Sequence, residues 1–249
     1  AGAQSVSDWA TGISVGPANE SGQTVTFVVT GNSNPGLFSS APTVSSTGTL
    51  SYTPADNANG SATITLVLQD NGGGTDTSAP QTFTITVNPV NDTPSFVKGA
   101  DQTVDEDAGL QSVSGWATAI LAGPPNESSQ ILTFAVTNNS NPGLFSSAPV
   151  VSPTGTLTYT PAGNANGSAT ITLVLQDNAG GASTTAPQTF TITVNPVNDP
   201  PSFVKGASQI VGEDIGPQSL RGWATSLSAG PSNESSQTLT FLVTDNSNP

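Results

Sequence analysis

Acidic side chains crowd into one short stretch of the sequence. Residues 83–109, FTITVNPVNDTPSFVKGADQTVDEDAG, carry five of the 17 acidic residues in the chain. These five are Asp92, Asp101, Asp105, Glu106 and Asp107. Carboxylates that stand close together repel one another unless a cation neutralises them, and calcium is a hard cation that prefers oxygen ligands. The stretch therefore indicates a site for a hard cation such as calcium, and the alternative is that these acids are ordinary solvated turn residues.

The rest of the composition excludes most other chemistries. The chain has no Cys and no His, so the common ligands of zinc, iron and copper are missing, as are a His base and a Cys nucleophile. We therefore predict that the protein is not an enzyme. Only 3 residues are Lys or Arg and the net charge is -14, which argues against nucleic acid or an anionic membrane as a partner. No apolar run approaches the length of a membrane span, so we predict no direct membrane insertion.

An internal repeat with an offset of 107 residues organises the chain. The segment NGSATITLVLQDN begins at Asn59 and again at Asn166, and APQTFTITVNPVND begins at Ala79 and again at Ala186. The three tryptophans keep the same offset; they are Trp9, Trp116 and Trp223. Self-similarity at a fixed period is the signature of a repeat architecture, so we predict a tandem array.

We divide the chain into three copies of this repeat. Copy 1, residues 1–93, lacks the 14 residues that match 94–107. Copy 2, residues 94–200, is complete, and copy 3, residues 201–249, stops after its first 49 residues. Both ends fall inside a copy, so we expect the native protein to be a longer array.

Apolar and polar residues alternate within a copy, which is the pattern of β-strands. In TITLVLQ, for example, Ile171, Leu173 and Leu175 fall on one side of the strand. Seven strands are predicted in copy 2, near 96–104, 110–118, 131–137, 144–151, 155–160, 168–176 and 187–195. The fold class predicted is all-β, with tandem immunoglobulin/cadherin-like seven-strand sandwiches and Trp116 in the core.

The segment ITVNPVNDTPSF resembles the end of a cadherin-type repeat, where the last strand runs into an Asn/Asp-rich linker followed by Pro and an aromatic residue. TGTLSYTP and SATITLVLQDNGG are similar to the second half of cadherin-like repeats in bacterial surface proteins, often adhesins. The resemblance covers nearly the whole chain and implies an extracellular, cell-surface array with calcium at its junctions. Trp116-Ala117-Thr118 replaces the Asp-x-Asp of cadherins, so we expect roughly one or two ions per junction.

Strand direction gives a separate argument for the junctions. Consecutive strands of a sandwich run in opposite directions. The loops that follow its first, third and fifth strands therefore lie at the same end of a copy as the point where the last strand ends. The junction of copies 1 and 2 then gathers Asp56, Asn91, Asp92, Glu127 and Asp177. The junction of copies 2 and 3 gathers Glu106, Asp107, Asn198, Asp199 and Glu234. Asp70, in copy 1, is the counterpart of Asp177 and is the last of the predicted metal ligands.

These observations predict a structural stalk or fibre segment of a bacterial surface adhesin, stiffened by calcium at the inter-repeat junctions. Its partners would be neighbouring repeats of the same long chain, and identical chains where stalks form a fibre. Two alternatives stay open. One is a subunit of an extracellular filament that assembles by strand addition between chains. The other is a ligand-binding module of a secreted carbohydrate-active protein.

Overall fold

The computed structural model describes residues 1–247; the last two residues of the predicted copy 3, Asn248 and Pro249, lie outside the described residues. The described chain consists of β-strands and single-turn 3-10 helices, which confirms the all-β prediction. It forms two compact units. Unit 1 comprises Ala1–Asp92, Gly123–Gln130 and Ala179–Ala182, and unit 2 comprises Thr93–Ala122, Ile131–Asn178 and the chain from Ser183 onward. The division into three copies remains a prediction.

Unit 1 contains six strands in two antiparallel sheets. The strands are β1 (Gln4–Val6), β2 (Val25–Asn32), β3 (Phe38–Val44), β4 (Leu50–Pro54), β5 (Gly60–Asp70) and β6 (Gln81–Val87). One sheet has the order β1-β4-β3 and the other β2-β5-β6. The 3-10 turns are Ala18–Glu20, Pro35–Leu37 and Pro125–Glu127. The alternating side chains of β5, Ala62, Ile64 and Leu66, are buried in the core, as a half-buried strand requires.

Unit 2 contains eleven strands. They are β7 (Ser95–Val97), β8 (Gln102–Asp105), β9 (Gln111–Val113), β10 (Thr118–Leu121), β11 (Thr133–Asn139), β12 (Phe145–Val151), β13 (Leu157–Pro161), β14 (Gly167–Gln176), β15 (Gln188–Asn195), β16 (Ser202–Val204) and β17 (Thr225–Ser228). The sheet orders are β11-β14-β15-β8 and β12-β13-β9, with the pairs β10-β7 and β16-β17. The 3-10 turns are Pro142–Leu144 and Ser232–Glu234.

The first two strands predicted for copy 2 are each broken in two, so their prediction as single strands is wrong. β7 pairs antiparallel with β10, whereas β8 crosses over and pairs parallel with β15. The chain turns at Gly99, whose backbone lies against the carbonyl and ring of Trp116, where a Cβ has no room. The second break falls at Gly115, whose φ of 64° is in the left-handed region. The first break follows from a tertiary contact and the second from a local backbone conformation, and the alternation of apolar residues shows neither.

The core of unit 2 lies between its two larger sheets. Ile171, Leu173 and Leu175 of β14 are fully buried, as their alternation predicts. Trp116 is also buried, with its ring 4.4 Å from that of Phe190, so its predicted place in the core is confirmed. Its indole N–H donates a 2.9 Å hydrogen bond to the carbonyl of Ala100. In the described residues, no helix has the length and apolar character needed to cross a membrane.

Candidate metal-binding loops

One loop motif recurs three times and presents a glutamate each time. It reads GPANES from Gly16, GPPNES from Gly123 and GPSNES from Gly230. The first Pro of each motif precedes a single 3-10 turn that ends at the glutamate. The carboxylate folds back over the glycine, because a Cβ built there would overlap the glutamate Oε2. The glycine therefore leaves room for the carboxylate, which is buried in the second and third loops and partly exposed in the first.

In unit 1 the second of these loops, which carries Glu127, fixes the linker residues Asn91 and Asp92. Glu127 is only 5% exposed, and its Oε1 accepts a 2.9 Å hydrogen bond from the Asp92 N–H. Gln130 donates to Asn91 Oδ1 at 2.9 Å, and the Asn91 amide donates to the Ala182 carbonyl at 3.2 Å. The second oxygen of Glu127, Oε2, is buried and has no hydrogen-bond partner among the described residues.

Unit 2 repeats the arrangement with the third motif. Glu234 is 6% exposed, and its Oε1 accepts a 2.8 Å hydrogen bond from the Asp199 N–H. Gln237 donates to Asn198 Oδ1 at 3.0 Å. Glu234 Oε2 and Asp199 Oδ2 are buried without a hydrogen-bond partner in residues 1–247. Burial raises the pKa of the Asp199 carboxyl above its usual value, and the charges of Asp107, Glu234 and Glu106 raise it further.

Glu106 contrasts with these carboxylates because it is fully satisfied. It is 2% exposed, and its Oε1 accepts from the Val197 N–H at 2.9 Å. The Asn166 amide donates to Oε2 at 3.2 Å, and the Asn233 amide lies 3.2 and 3.3 Å from the two oxygens. Asp107, beside it, accepts a 3.0 Å bond from the Asn164 N–H. Glu106 thus joins its own strand end to the linker and to the loop that carries Glu234.

The remaining predicted ligands have other surroundings. Asp70 Oδ1 accepts a 2.7 Å bond from the Gly72 N–H, which is the role of an Asp in its own turn. Asp56 is exposed and lines a cavity of unit 1. Asp177 is buried in unit 2, and its N–H donates to the Ser183 carbonyl at 3.0 Å. The structure therefore brings together Asn91, Asp92 and Glu127 in one unit. In the other it brings together Glu106, Asp107, Asn198, Asp199 and Glu234.

The placement and the bonding state of these side chains both bear on metal binding. Within residues 1–247, no three acidic side chains stand close enough to hold an ion as they are placed. Three carboxylate oxygens are nevertheless buried without a partner: Glu127 Oε2, Asp199 Oδ2 and Glu234 Oε2. A buried anionic oxygen without a donor is unfavourable, and such oxygens are the ligand type that calcium takes. The oxygen chemistry and the unfilled bonding capacity of these residues are compatible with calcium, although no three acidic side chains within residues 1–247 are arranged around a common point.

Several contributors were missed from sequence. Glu20, the counterpart of Glu127 and Glu234, was not among the predicted ligands, and neither were the amide donors Asn166 and Asn233. The signal that finds the glutamates is the Asn-Glu-Ser triplet at the same place in each copy. The amides carry no such signal because the chain is rich in Asn.

The sequence was compared with families of known proteins. Residues 2–88 match the family described as bacterial Ig domain. The match covers the body of copy 1 and confirms the resemblance to bacterial immunoglobulin-like repeats. Domains of this family are typically extracellular, non-enzymatic modules with an adhesive or structural role. A comparison with curated proteins gives no match.

Several solved structures are similar to the chain. The human CDH23 EC21-23 structure is 15% identical, with a TM-score of 0.45, over 73% of this chain and 66% of that one. Chicken VE-cadherin EC1-2 is 17% identical, with a TM-score of 0.34, over 79% and 92% of the two chains. An endo-fucoidan hydrolase is 18% identical, with a TM-score of 0.29, over 71% of this chain and 24% of that one. Similarities of this size do not transfer a function.

Proposed function

We propose that the protein is a structural segment of an extracellular, cell-surface array whose inter-repeat junctions bind roughly one or two calcium ions each. The observation that carries the proposal is the pair of loop glutamates, Glu127 and Glu234. Each holds a linker aspartate by one oxygen and leaves the other oxygen buried and unpaired.

The charges around Glu234 favour a cation over a solvated turn. Asp199 has a raised pKa because it is shielded from water and feels the charges of Glu234 and Glu106. A solvated turn aspartate would keep its ordinary pKa. Only 3 basic residues serve the 17 acids of the chain, so protein cations cannot balance the junctions. A bound calcium ion would supply the missing positive charge to these oxygens.

The protein's own residues define what such binding would do. The Asp199 N–H is held by Glu234, and the Val197 N–H is held by Glu106, so both sides of the linker are already tied by hydrogen bonds. Tying the side chains of Asp199 and Glu234 to one ion would remove the freedom that remains. The same reasoning applies to Asp92 and Glu127. A linker held in this way transmits force along an array instead of bending.

The other predicted ligands enter the proposal at defined places. We assign Asp107 and Asn198 to the set of Asp199 and Glu234, because, in addition to burial, the charge of Asp107 raises the pKa of Asp199 and the Asn198 amide donates to the Asp199 carbonyl. Asn91 accompanies Asp92. Asp56, Asp70 and Asp177 stay predictions from the sequence.

Calorimetric titration of calcium into the chelator-treated 249-residue chain tests the proposal. We expect saturable binding that is weakened at least tenfold by Asp92→Asn together with Asp199→Asn, since each change removes one anionic ligand. Asp8→Asn is the matched control, because Asp8 is an exposed turn residue. Absence of binding by the unaltered chain, or equal weakening by the control, would refute the calcium proposal.

A further inference from the structure

Two acids of the crowded stretch lie outside the candidate metal sets and bind a neighbouring strand instead. Asp101 stands just before strand β8 and Asp105 is its last residue, and both are exposed. Asp101 Oδ1 accepts a 2.9 Å hydrogen bond from the Thr191 N–H of β15. Asp105 Oδ1 accepts a 3.1 Å bond from the side-chain amide of Asn195, at the end of β15. The two carboxylates therefore fasten both ends of β8 to the same partner strand.

The backbone ladder between these two carboxylates is parallel. Its four consecutive residue pairs run from Gln102 opposite Ile192 to Asp105 opposite Asn195. Just beyond them, the Glu106 N–H donates a 2.8 Å hydrogen bond to the Asn195 carbonyl. The predicted copy 2 begins shortly before β8 and ends shortly after β15, so the ladder joins the beginning of this copy directly to its end.

Parallel pairing decides how this ladder carries a pulling force. When the chain is stretched, the force on β8 points back towards its first residue, and the force on β15 points towards its last residue. In a parallel pair these two residues lie at opposite ends of the ladder, so the strands are pulled past each other and all of their bonds are loaded together. An antiparallel pair with the same connections would have both pulled ends on one side, and its bonds would open one at a time. Stretching therefore acts on the β8–β15 ladder in the direction in which the ladder is strongest.

The strand pairing that the chain makes before β8 is shorter. β7 pairs with β10 at two register positions, Ser95 opposite Leu121 and Val97 opposite Thr118, with an irregularity between them. A force that enters from the preceding linker reaches β7 first and β8 second. The longer β8–β15 ladder is therefore the barrier that still holds after β7 has detached.

Detachment of β8 would also open the core of unit 2. Val104 of β8 packs against the buried core cluster and stands opposite Val194, which is 1% exposed. Removal of β8 would expose both side chains to water, so the loss of apolar burial adds to the loss of the ladder bonds. We expect the rest of this sandwich to unfold as soon as the ladder breaks.

We propose that the β8–β15 ladder, fastened at its two ends by Asp101 and Asp105, is the element that bears the force when residues 94–200 are under tension. The two side-chain bonds cross the same gap as the backbone ladder, so they are loaded together with it. This assigns a mechanical role to two acids of the crowded stretch that the metal sets do not use. The proposal goes beyond calcium binding, because it needs no ion and concerns the resistance of one copy to unfolding instead of the junction between copies.

Optical tweezers applied to the 249-residue chain test the direction of loading. The chain has no Cys, so engineered cysteines are the only attachment points for the handles. Ala100→Cys with Pro200→Cys pulls β8 and β15 along the ladder, and Ala100→Cys with Thr189→Cys pulls them apart from one end of it. All three positions are exposed.

We expect the force at which the sandwich ruptures to be roughly twofold or more higher along the ladder than across it, because the bonds then break together instead of in turn. Both measurements are made in chelator, so their outcome does not depend on the calcium proposal. Equal rupture forces in the two directions would overturn the assignment of the β8–β15 ladder as the force-bearing element.

Substitution of Asp101 tests the part that the side chains play. With the handles at positions 100 and 200, Asp101→Ala should speed rupture at constant force by about three- to tenfold, because the bond from the Thr191 N–H is lost. Asp101→Asn is the matched control, since it keeps the Oδ1 acceptor and should rupture at nearly the parent rate. A rupture rate that Asp101→Ala leaves unchanged, or that Asp101→Asn raises equally, would overturn the role assigned to this carboxylate.

Discussion

Replacing Glu234 by Gln should have opposite effects on stability with and without calcium. Gln keeps the oxygen that accepts from the Asp199 N–H at 2.8 Å and replaces the buried, unpaired Oε2 by an amide. The change thus removes one charge at constant shape. In chelator it should stabilise unit 2, because an unsatisfied anion is gone and Asp199 loses a like-charged neighbour. In calcium it should destabilise the protein relative to the parent, because a ligand is gone.

The size of the first effect follows from the burial of Glu234. Leaving a buried polar atom without a partner costs about 1–3 kcal/mol. The Gln amide is buried at the same place but is neutral and therefore costs less to desolvate, so the free energy of unfolding in chelator should rise by part of this amount. For a unit of this size, the midpoint of thermal unfolding should rise by roughly 2–4 °C for each kcal/mol gained.

Differential scanning calorimetry in chelator and in excess calcium measures the sign of the change in stability under each condition. Glu213→Gln is a suitable control, since Glu213 is exposed and should change little in either condition. A Glu234→Gln protein that is less stable than the parent in chelator would refute the reasoning. It would show that the charge of Glu234 is already compensated within the protein.

Three further results are expected. Gly123→Ala should destabilise unit 1 by about 1.5–3 kcal/mol in thermal unfolding, because the new Cβ displaces Glu127 from the Asp92 N–H. Gly109→Ala should be nearly neutral, because a Cβ at Gly109 would have no other atom within 4 Å. In chelator, the raised pKa of Asp199 means that the folded protein holds a proton on this carboxyl more tightly than the unfolded chain does, which favours folding most at low pH. The urea midpoint of the parent should therefore fall relative to the midpoint of Asp199→Asn as the pH rises from the usual aspartate pKa through the raised one. Leu173→Ala should cost about 2–5 kcal/mol in urea unfolding, and Leu110→Ala, at an exposed site, less than about 0.5 kcal/mol. An equal cost for the two leucine changes would contradict the assignment of the core.

The central strands of each sandwich were predictable because their burial is periodic. In β14 every second side chain from Ala169 to Leu175 is fully buried, and the sequence shows that alternation directly. The broken first strand was not predictable in the same way. Its break depends on Gly99 meeting Trp116, a contact between residues 17 positions apart that leaves no periodic mark.

The candidate site was likewise predictable in part. Strand direction alone predicts that Asp199 and Glu234 meet, since linker and loop must share one end of a sandwich. It does not predict that Glu106 is satisfied by amides while Glu234 keeps an unpaired oxygen. That difference depends on where Asn166 and Asn233 direct their side chains. In a chain with many Asn residues, only the folded structure shows which amides do so.

Small-angle scattering of the 249-residue chain during a calcium titration tests the central claim most directly. The account predicts that, from the chelator-treated state, the maximum dimension rises to a plateau at a defined calcium concentration. It also predicts that Asp92→Asn with Asp199→Asn removes this change while the protein stays folded. An unaltered chain whose scattering is the same with and without calcium would contradict the claim that calcium stiffens the junctions.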